Sequence, residues 1–289
     1  MNKLTQTIKS IIQEYDTKGA DNECQLSIDR IIENAISKNE PLNFVIFTCS
    51  TINFEYLWSD TPWLYVNTNP KGNNLEPDLP QITKVMSALK KAYPKTQLKI
   101  LIGNTDPYYI YLQQFKDFPS QKRAELLRQF NARWETYRQN FERWAKTISP
   151  NFNPEVISWY QFERAIEQRT EKSFESEYEA TKSTIASCFK QDQFDWELRK
   201  LQTQFGAGKY FEKLEKPNDD LLKDWIVRKF TEYAVQAKWI YENIPNAILI
   251  QNEKPSDLRS QMYQPLVRKK YKTDFPIAYF LGVDNAGYQ

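Results

Sequence analysis

Histidine is absent from this 289-residue chain. That absence excludes Ser-His-Asp and Cys-His triads, imidazole acid–base catalysis and histidine metal sites. Glycine is scarce, with 7 residues in the whole chain where about 7% would be usual. Dinucleotide and P-loop sites need backbone to approach phosphate closely, so the scarcity weighs against both. The one dense cluster, Gly206-Ala207-Gly208-Lys209, lacks the outer glycine and the Ser/Thr of a P-loop and reads as a turn. The cysteines Cys24, Cys49 and Cys188 stand apart with no CxxC pair, so no disulfide framework is expected and a reducing compartment is the default. No stretch approaches the ~18 apolar residues of a membrane span, and the opening Met1-Asn-Lys-Leu-Thr-Gln6 lacks the apolar core of a signal peptide. The expectation is a soluble, cytoplasmic protein with no membrane partner. A net charge of +2 excludes a uniformly basic coat, so any polyanion site must be local.

Aromatic residues are abundant, with 17 Phe, 17 Tyr and 8 Trp. The first 38 residues carry Leu4, Ile8, Ile11, Ile12 and Tyr15, then Ile28, Ile31, Ile32, Ala35 and Ile36, at helical spacing. Short apolar runs of strand length follow at Phe44–Thr48, Trp63–Val66, Leu98–Ile102, Glu155–Trp159, Ala247–Gln251 and Ile277–Leu281, most of them separated by helical segments. Strands that are apolar throughout, rather than alternating, belong to a parallel sheet buried on both faces. The expected fold is therefore α/β: a Rossmann-like, mostly parallel sheet flanked by helices. It is expected to form a single domain over residues 1–289 with a long helical insertion at about 160–225.

Charge is clustered. Residues 121–146 contain Lys122, Arg123, Arg128, Arg133, Arg138, Arg143 and Lys146, and residues 259–272 contain Arg259, Arg268, Lys269, Lys270 and Lys272 with no acid among them. Such local tracts on a near-neutral chain suit a polyanion footprint. In the first tract Phe130, Trp134, Tyr137, Phe141 and Trp144 share one helical stripe, which is the pattern of a core-facing surface. The arginines at 123, 128, 133, 138 and 143 step by five, about 140° each, so they wind around the helix. They suit either a solvated rim or phosphate contacts.

Chemistry is most readily placed at Thr48-Cys49-Ser50-Thr51-Ile52-Asn53-Phe54-Glu55-Tyr56, where a small nucleophile follows an early strand. Both Cys49 and Ser50 qualify on position. Cysteine is the better intrinsic nucleophile, but in mid-strand it is commonly a buried filler, and a serine there also suits a helix N-cap. Gly103-Asn-Thr-Asp-Pro107 lies at the corresponding end of a later strand, where α/β proteins hold ligands, although Asp106 before Pro107 equally caps a helix.

These residues resemble the tRNA-dependent cyclodipeptide synthases, whose fold is like the catalytic domain of class I aminoacyl-tRNA synthetases. That family carries Ser-x-x-Asn after its first strand with aromatics just beyond, matched by Ser50, Asn53 and Tyr56. One of its subfamilies carries a Tyr-Gln pair near the C-terminus, matched by Tyr263-Gln264. Its helix Tyr-x-x-x-Glu-x-Pro places proline 18 residues before that tyrosine, as Pro245 precedes Tyr263 here. Aligned on Pro245, the family's tyrosine falls on Trp239 and its glutamate on Asn243, with Tyr241 and Glu242 in the same turn.

The resemblance implies an aminoacyltransferase that needs no cofactor and no metal. Ser50 would accept the aminoacyl group of an aminoacyl-tRNA and pass it to an amine, from a second aminoacyl-tRNA or a small molecule, giving a cyclic dipeptide or another amide. Tyr263, Asn243 and Trp239 fall at catalytic positions, and Asn53, Gln264, Glu242 and Tyr241 at substrate-binding ones. Arg123, Arg128, Arg133, Arg138, Arg143, Lys269 and Lys270 would meet the tRNA. Because Trp239 and Asn243 replace the family's tyrosine and glutamate, a non-catalytic relative that binds tRNA or a nucleotide is the alternative. A helical interaction protein without a nucleic-acid ligand remains a third possibility.

Overall fold

The computed structural model describes residues 3–15, 22–49, 79–103, 119–148, 152–206, 218–251 and 277–279. The strands form where apolar runs are shortest and most β-branched. β1 (Leu42–Cys49), β2 (Thr96–Gly103), β3 (Glu155–Ser158), β4 (Ala247–Gln251) and β5 (Ile277–Tyr279) make one sheet in the order β3-β2-β1-β4-β5. All four strand pairings are parallel, with Leu42 opposite Thr96 and Cys49 opposite Gly103 across the β1–β2 ladder. Phe44, Val45 and Ile46 on β1, Ile100, Leu101 and Ile102 on β2, and Ile248, Leu249 and Ile250 on β4 are all buried, so both sheet faces are covered. Trp63–Val66, expected as a strand, lies outside the described residues.

The helices are α1 (Lys3–Tyr15), α2 (Asn22–Ser37), α3 (Leu79–Ala92), α4 (Ser120–Ile148), α5 (Trp159–Thr170), α6 (Phe174–Cys188), α7 (Gln191–Gly206) and α8 (Asp219–Asn243). Crossovers between parallel strands are right-handed almost without exception, and with this strand order that rule assigns the helices to faces. The connections β1–α3–β2 and β2–α4–β3 move toward one edge of the sheet and lie on one face. The long connection from β3 through α5–α8 to β4 crosses back and lies on the other. α1 joins the first layer by packing on α3, and α2 by packing on α1, β1 and β4. Lys9 ties α1 to α2 through Asp29 and Glu33, each at 3.1 Å.

Side-chain caps determine where the second layer starts. Ser158 ends β3 and accepts from the backbone of Gln161 to open α5, Ser173 accepts from Ser176 to open α6, and Asn218 accepts from Leu221 to open α8. Asp219 and Asp220 in the first turn of α8 complement its dipole. α8 stops before Pro245, and Asn246 turns the chain with φ 49° into β4. Asn is among the few residues that adopt this conformation readily.

One face of the sheet's C-terminal edge is built around a ring. Phe47 meets Trp159 of α5 at 5.7 Å and Tyr233 of α8 at 6.2 Å, both edge-on. The neighbouring strand makes room by ending in glycine: a Cβ at Gly103 would lie 2.6 Å from the tip of the Phe47 ring. Because β1 alternates, Asn43, Val45 and Phe47 face α5 and α8, while Leu42, Phe44, Ile46 and Thr48 face the opposite layer.

Candidate functional site

The strand order 3-2-1-4-5 reverses direction at β1. In open parallel sheets ligands bind outside the C-terminal ends of strands at this reversal, because the connections leaving it diverge to opposite faces and open a crevice. Here the reversal lies between β1 and β4. β1 ends at Cys49, so the next residue in the chain is Ser50. Ser50, Asn53, Tyr56, Tyr263, Gln264, Lys269 and Lys270 lie outside the described residues.

The structure does not bring positions 239–243 to that crevice. α8 returns its C-terminal end to the start of β1: the amide of Asn43 donates to the carbonyl of Asn246, and the Asn43 side chain donates to the carbonyl of Pro245 at 2.7 Å. From Asn43 to Cys49 the strand advances about 20 Å at ~3.3 Å per residue. Trp239 is 1% exposed, packed edge-on against Phe174 at 5.2 Å, and its indole N–H has no partner among the described residues. Asn243 donates to the carbonyl of Trp239 at 2.8 Å and accepts from Arg169. Glu242 lies 4.0 Å from Lys172, and Tyr241 is half-buried against the core. Tyr241, Glu242 and Asn243 also line a surface cavity with Asn34 and Asn246. This cavity is at the edge where β1 begins. A helix aligned on its proline therefore places Tyr241, Glu242 and Asn243 at the end of β1 opposite Cys49, with Trp239 one turn before them.

α4 carries the first basic tract. Its 29 residues span about 43 Å at ~1.5 Å per residue, well beyond the length of the eight-residue strands. Trp134, Tyr137, Phe141 and Ala145 are buried and Trp144 is partly so, which makes the aromatic stripe a packing face. The arginines are not equivalent. Arg138 is half-buried and bonds Glu135 at 2.6 Å and Glu142 at 3.4 Å, while Lys146 reaches Glu142 at 2.7 Å. Hydrogen bonds from Arg138 hold the Glu135 carboxyl below its ordinary range, and those from Lys146, then Arg138, do the same for Glu142. Arg128 is exposed and paired with Glu125 at 2.7 Å. Arg143 is exposed and bonds neutral groups, Asn140 at 2.7 Å and the carbonyl of Gln139. Arg123 and Arg133 are on the same helix.

Two features of the layer that carries α5 and α8 have little signature in the sequence. One is the aromatic floor of Phe47, Trp159 and Tyr233, for which Gly103 at the end of a strand was the available signal. The other is Glu163, one turn into α5, whose carboxyl is pushed up to about 7. Burial is the main cause, reinforced by Glu167, and the hydrogen bond from Trp159 and the charge of Arg164 only partly oppose it. No composition or spacing rule isolates such a group, because its neighbours come from α5 and α6 together.

No family model matches the sequence, and no curated protein matches it significantly. Among solved structures, the PvcA protein of Pseudomonas aeruginosa is similar in fold, with a TM-score of 0.50 and 13% identity over 89% of this chain and 82% of that one. A cyclodipeptide synthase from Fluoribacter dumoffii aligns with a TM-score of 0.44 and 9% identity over 84% and 90% of the two chains. One from Candidatus Glomeribacter gigasporarum, bound to Phe-tRNAPhe, aligns with a TM-score of 0.40 and 12% identity over 86% and 91%. The likeness is one of fold: this chain is an α/β protein with a Rossmann-like parallel sheet, similar to PvcA.

Proposed function

We propose that the protein is an aminoacyl-tRNA-dependent acyltransferase of the cyclodipeptide synthase type, acting in the cytoplasm, with Ser50 as nucleophile. The observation that carries this reading is positional: the serine of the Ser-x-x-Asn pattern directly follows the strand at which the sheet reverses. The proposed enzyme is one domain over residues 1–289, with residues about 160–225 as a helical insertion.

In the first step the Ser50 hydroxyl oxygen attacks the ester carbonyl carbon of an aminoacyl-tRNA. The bond to the ribose oxygen breaks, the aminoacyl group stays on Ser50, and the serine proton ends on the released ribose hydroxyl. An amine then attacks the serine ester, an amide forms, and the serine hydroxyl is regenerated with a proton from the amine. A second aminoacyl-tRNA or a small molecule supplies that amine. The ester is already activated, so no nucleoside triphosphate is consumed. With no histidine in the chain, proton transfer falls to the Tyr263 hydroxyl or to the substrate's own amine and ribose hydroxyl. Asn53 and Gln264 are the proposed substrate-binding partners. Exposed arginines of α4, Arg143 foremost, together with Lys269 and Lys270, are the proposed tRNA contacts, each adding salt dependence to binding.

The test is incubation with a pool of charged tRNAs, followed by intact mass of the protein and mass spectrometry of the released small molecules. An increment of one aminoacyl group that disappears in Ser50→Ala, with tRNA binding retained, is the expected result. An increment that persists in Ser50→Ala refutes the serine and favours Cys49. Binding of tRNA without increment or product favours the non-catalytic reading.

A further inference from the structure

α3 and β2, with the turn between them, carry Lys84, Lys90, Lys91, Lys95 and Lys99 and no acidic residue from 79 to 103. Lys90 and Lys91 occupy the last turn of α3, where cations complement the negative end of the helix dipole. A helix that feeds a parallel strand finishes at the N-terminal edge of the sheet, so α3 delivers both lysines to the edge where β2 begins. Lys95, in the turn, donates to the carbonyl of Asn39 at 2.6 Å and so lies against the α2–β1 turn that carries Lys38. Tyr93 fixes that turn by donating to the carbonyl of Glu40 at 2.6 Å.

Lys38, Lys90, Lys91 and Lys95 are all exposed. Among the described residues none of them pairs with a carboxylate, and Lys90 instead lies 5.0 Å from the centroid of the Phe152 ring. The nearby acids are engaged elsewhere: Glu155 pairs with Lys99, and Glu40 accepts from Asn246. α4 also feeds a parallel strand, so Arg143 near its end reaches the same edge, exposed and bonded to neutral groups. The large exposed apolar side chains among the described residues are elsewhere, Leu26 in the first half of α2 and Tyr160 and Trp196 on α5 and α7. Protein partners are anchored by apolar and aromatic side chains, and amphipathic membrane contacts insert them. A lysine surface without such anchors matches the phosphate backbone of a nucleic acid, which is bound through charge.

We propose that Lys38, Lys90, Lys91 and Lys95 form a phosphate-backbone contact for a helical arm of tRNA at the N-terminal edge of the sheet, continuous with Arg143. This rests on the acyl-transfer reading, which supplies tRNA as the ligand. The contact grips the body of the RNA rather than its reacting end, so it contributes affinity without base preference.

The probe is deacylated tRNA, titrated at several salt concentrations. A triple variant, Lys90→Gln with Lys91→Gln and Lys95→Gln, is expected to bind roughly 10–50-fold more weakly, with a salt slope shallower by about 2–3 at ~0.9 per duplex phosphate. The control, Lys172→Gln with Lys182→Gln and Lys223→Gln, removes the same charge from the other layer and is expected to bind as the parent does. Lys38→Glu with Lys91→Glu repeats the test without touching Lys95, should the triple variant fail to fold. An equal loss in variant and control overturns the proposal, since net charge alone would then explain it. If the parent binds tRNA and both patch variants match it, only this proposal fails. If the parent binds no tRNA, the acyl-transfer reading fails and this proposal with it, and binding to phosphatidylserine–phosphatidylcholine vesicles in that case reassigns the lysines to a lipid surface.

Discussion

Replacing Glu163 by Gln should stabilise the protein at alkaline pH and hardly change it at acidic pH. The folded-state carboxyl is pushed up from 4.5 to about 7, first by burial and then by Glu167. An acid with a raised folded-state pKa binds its proton more tightly when native, so the native state gains relative stability at low pH. That gain is complete below pH about 4.5, falls away as pH rises toward 7, and is absent above it. The rise from 4.5 to about 7 corresponds to at most about 3.5 kcal/mol at ~1.4 kcal/mol per tenfold change in proton affinity. Residual access of water screens the group, and roughly 1–2 kcal/mol is the realistic share. Glutamine keeps the size and can still accept the bond from Trp159, but it carries no charge to desolvate. Denaturant melts of both proteins at pH 5, 6, 7 and 8 should give a difference near zero at pH 5, rising to about 1–2 kcal/mol at pH 8 with an unchanged m-value. Every other titrating group is common to both proteins and largely cancels. A difference that is flat with pH, or largest at pH 5, would refute the assignment of burial as the dominant cause.

Gly103→Ala should cost about 1–3 kcal/mol, the usual penalty of overpacking, because its Cβ would enter the Phe47 ring at 2.6 Å while Trp159 and Tyr233 block the ring's retreat. A double-mutant cycle with Phe47→Leu checks it, and the loss should shrink when the ring is gone. Arg143→Glu should weaken tRNA binding and flatten its salt dependence while leaving the thermal midpoint nearly unchanged, because Arg143 is exposed and bonds neutral groups. Filter-binding at several salt concentrations together with a melting curve reads both quantities.

Much of the fold was legible because its signals are local. Phe44–Thr48, Leu98–Ile102, Ala247–Gln251 and the start of Ile277–Leu281 are strands because β-branched and apolar residues run unbroken, and parallel pairing is the arrangement that buries both faces of such runs. Boundaries slipped where a capping side chain decided the matter. The apolar run Glu155–Trp159 reads as a strand to its last residue, yet Ser158 accepts from the backbone of Gln161, and Trp159 becomes the first residue of α5. The basic tract was legible as a helix, but its individual charges were not. Pairing with glutamates three and four residues away depends on which rotamers packing allows, and Arg138 ends half-buried between two of them.

The site was legible only as far as topology agrees with linear spacing. A serine after an apolar strand needs no more than one strand end to be placed, and the strand order then identifies that end as the reversal point. Trp239 and Asn243 follow from counting back from Pro245, and counting is blind to direction. A helix that feeds a parallel strand must finish at the N-terminal edge of the sheet, so residues in its last turn cannot reach the C-terminal edge. In α8 the residues level with the crevice are one to two turns before Tyr233, which is where Trp225 and Lys229 occur. Any side chain from this helix that touches a substrate beside Ser50 should therefore come from its first half, and substitutions at Asn243 should act through Arg169 and the packing of α5 rather than through the substrate.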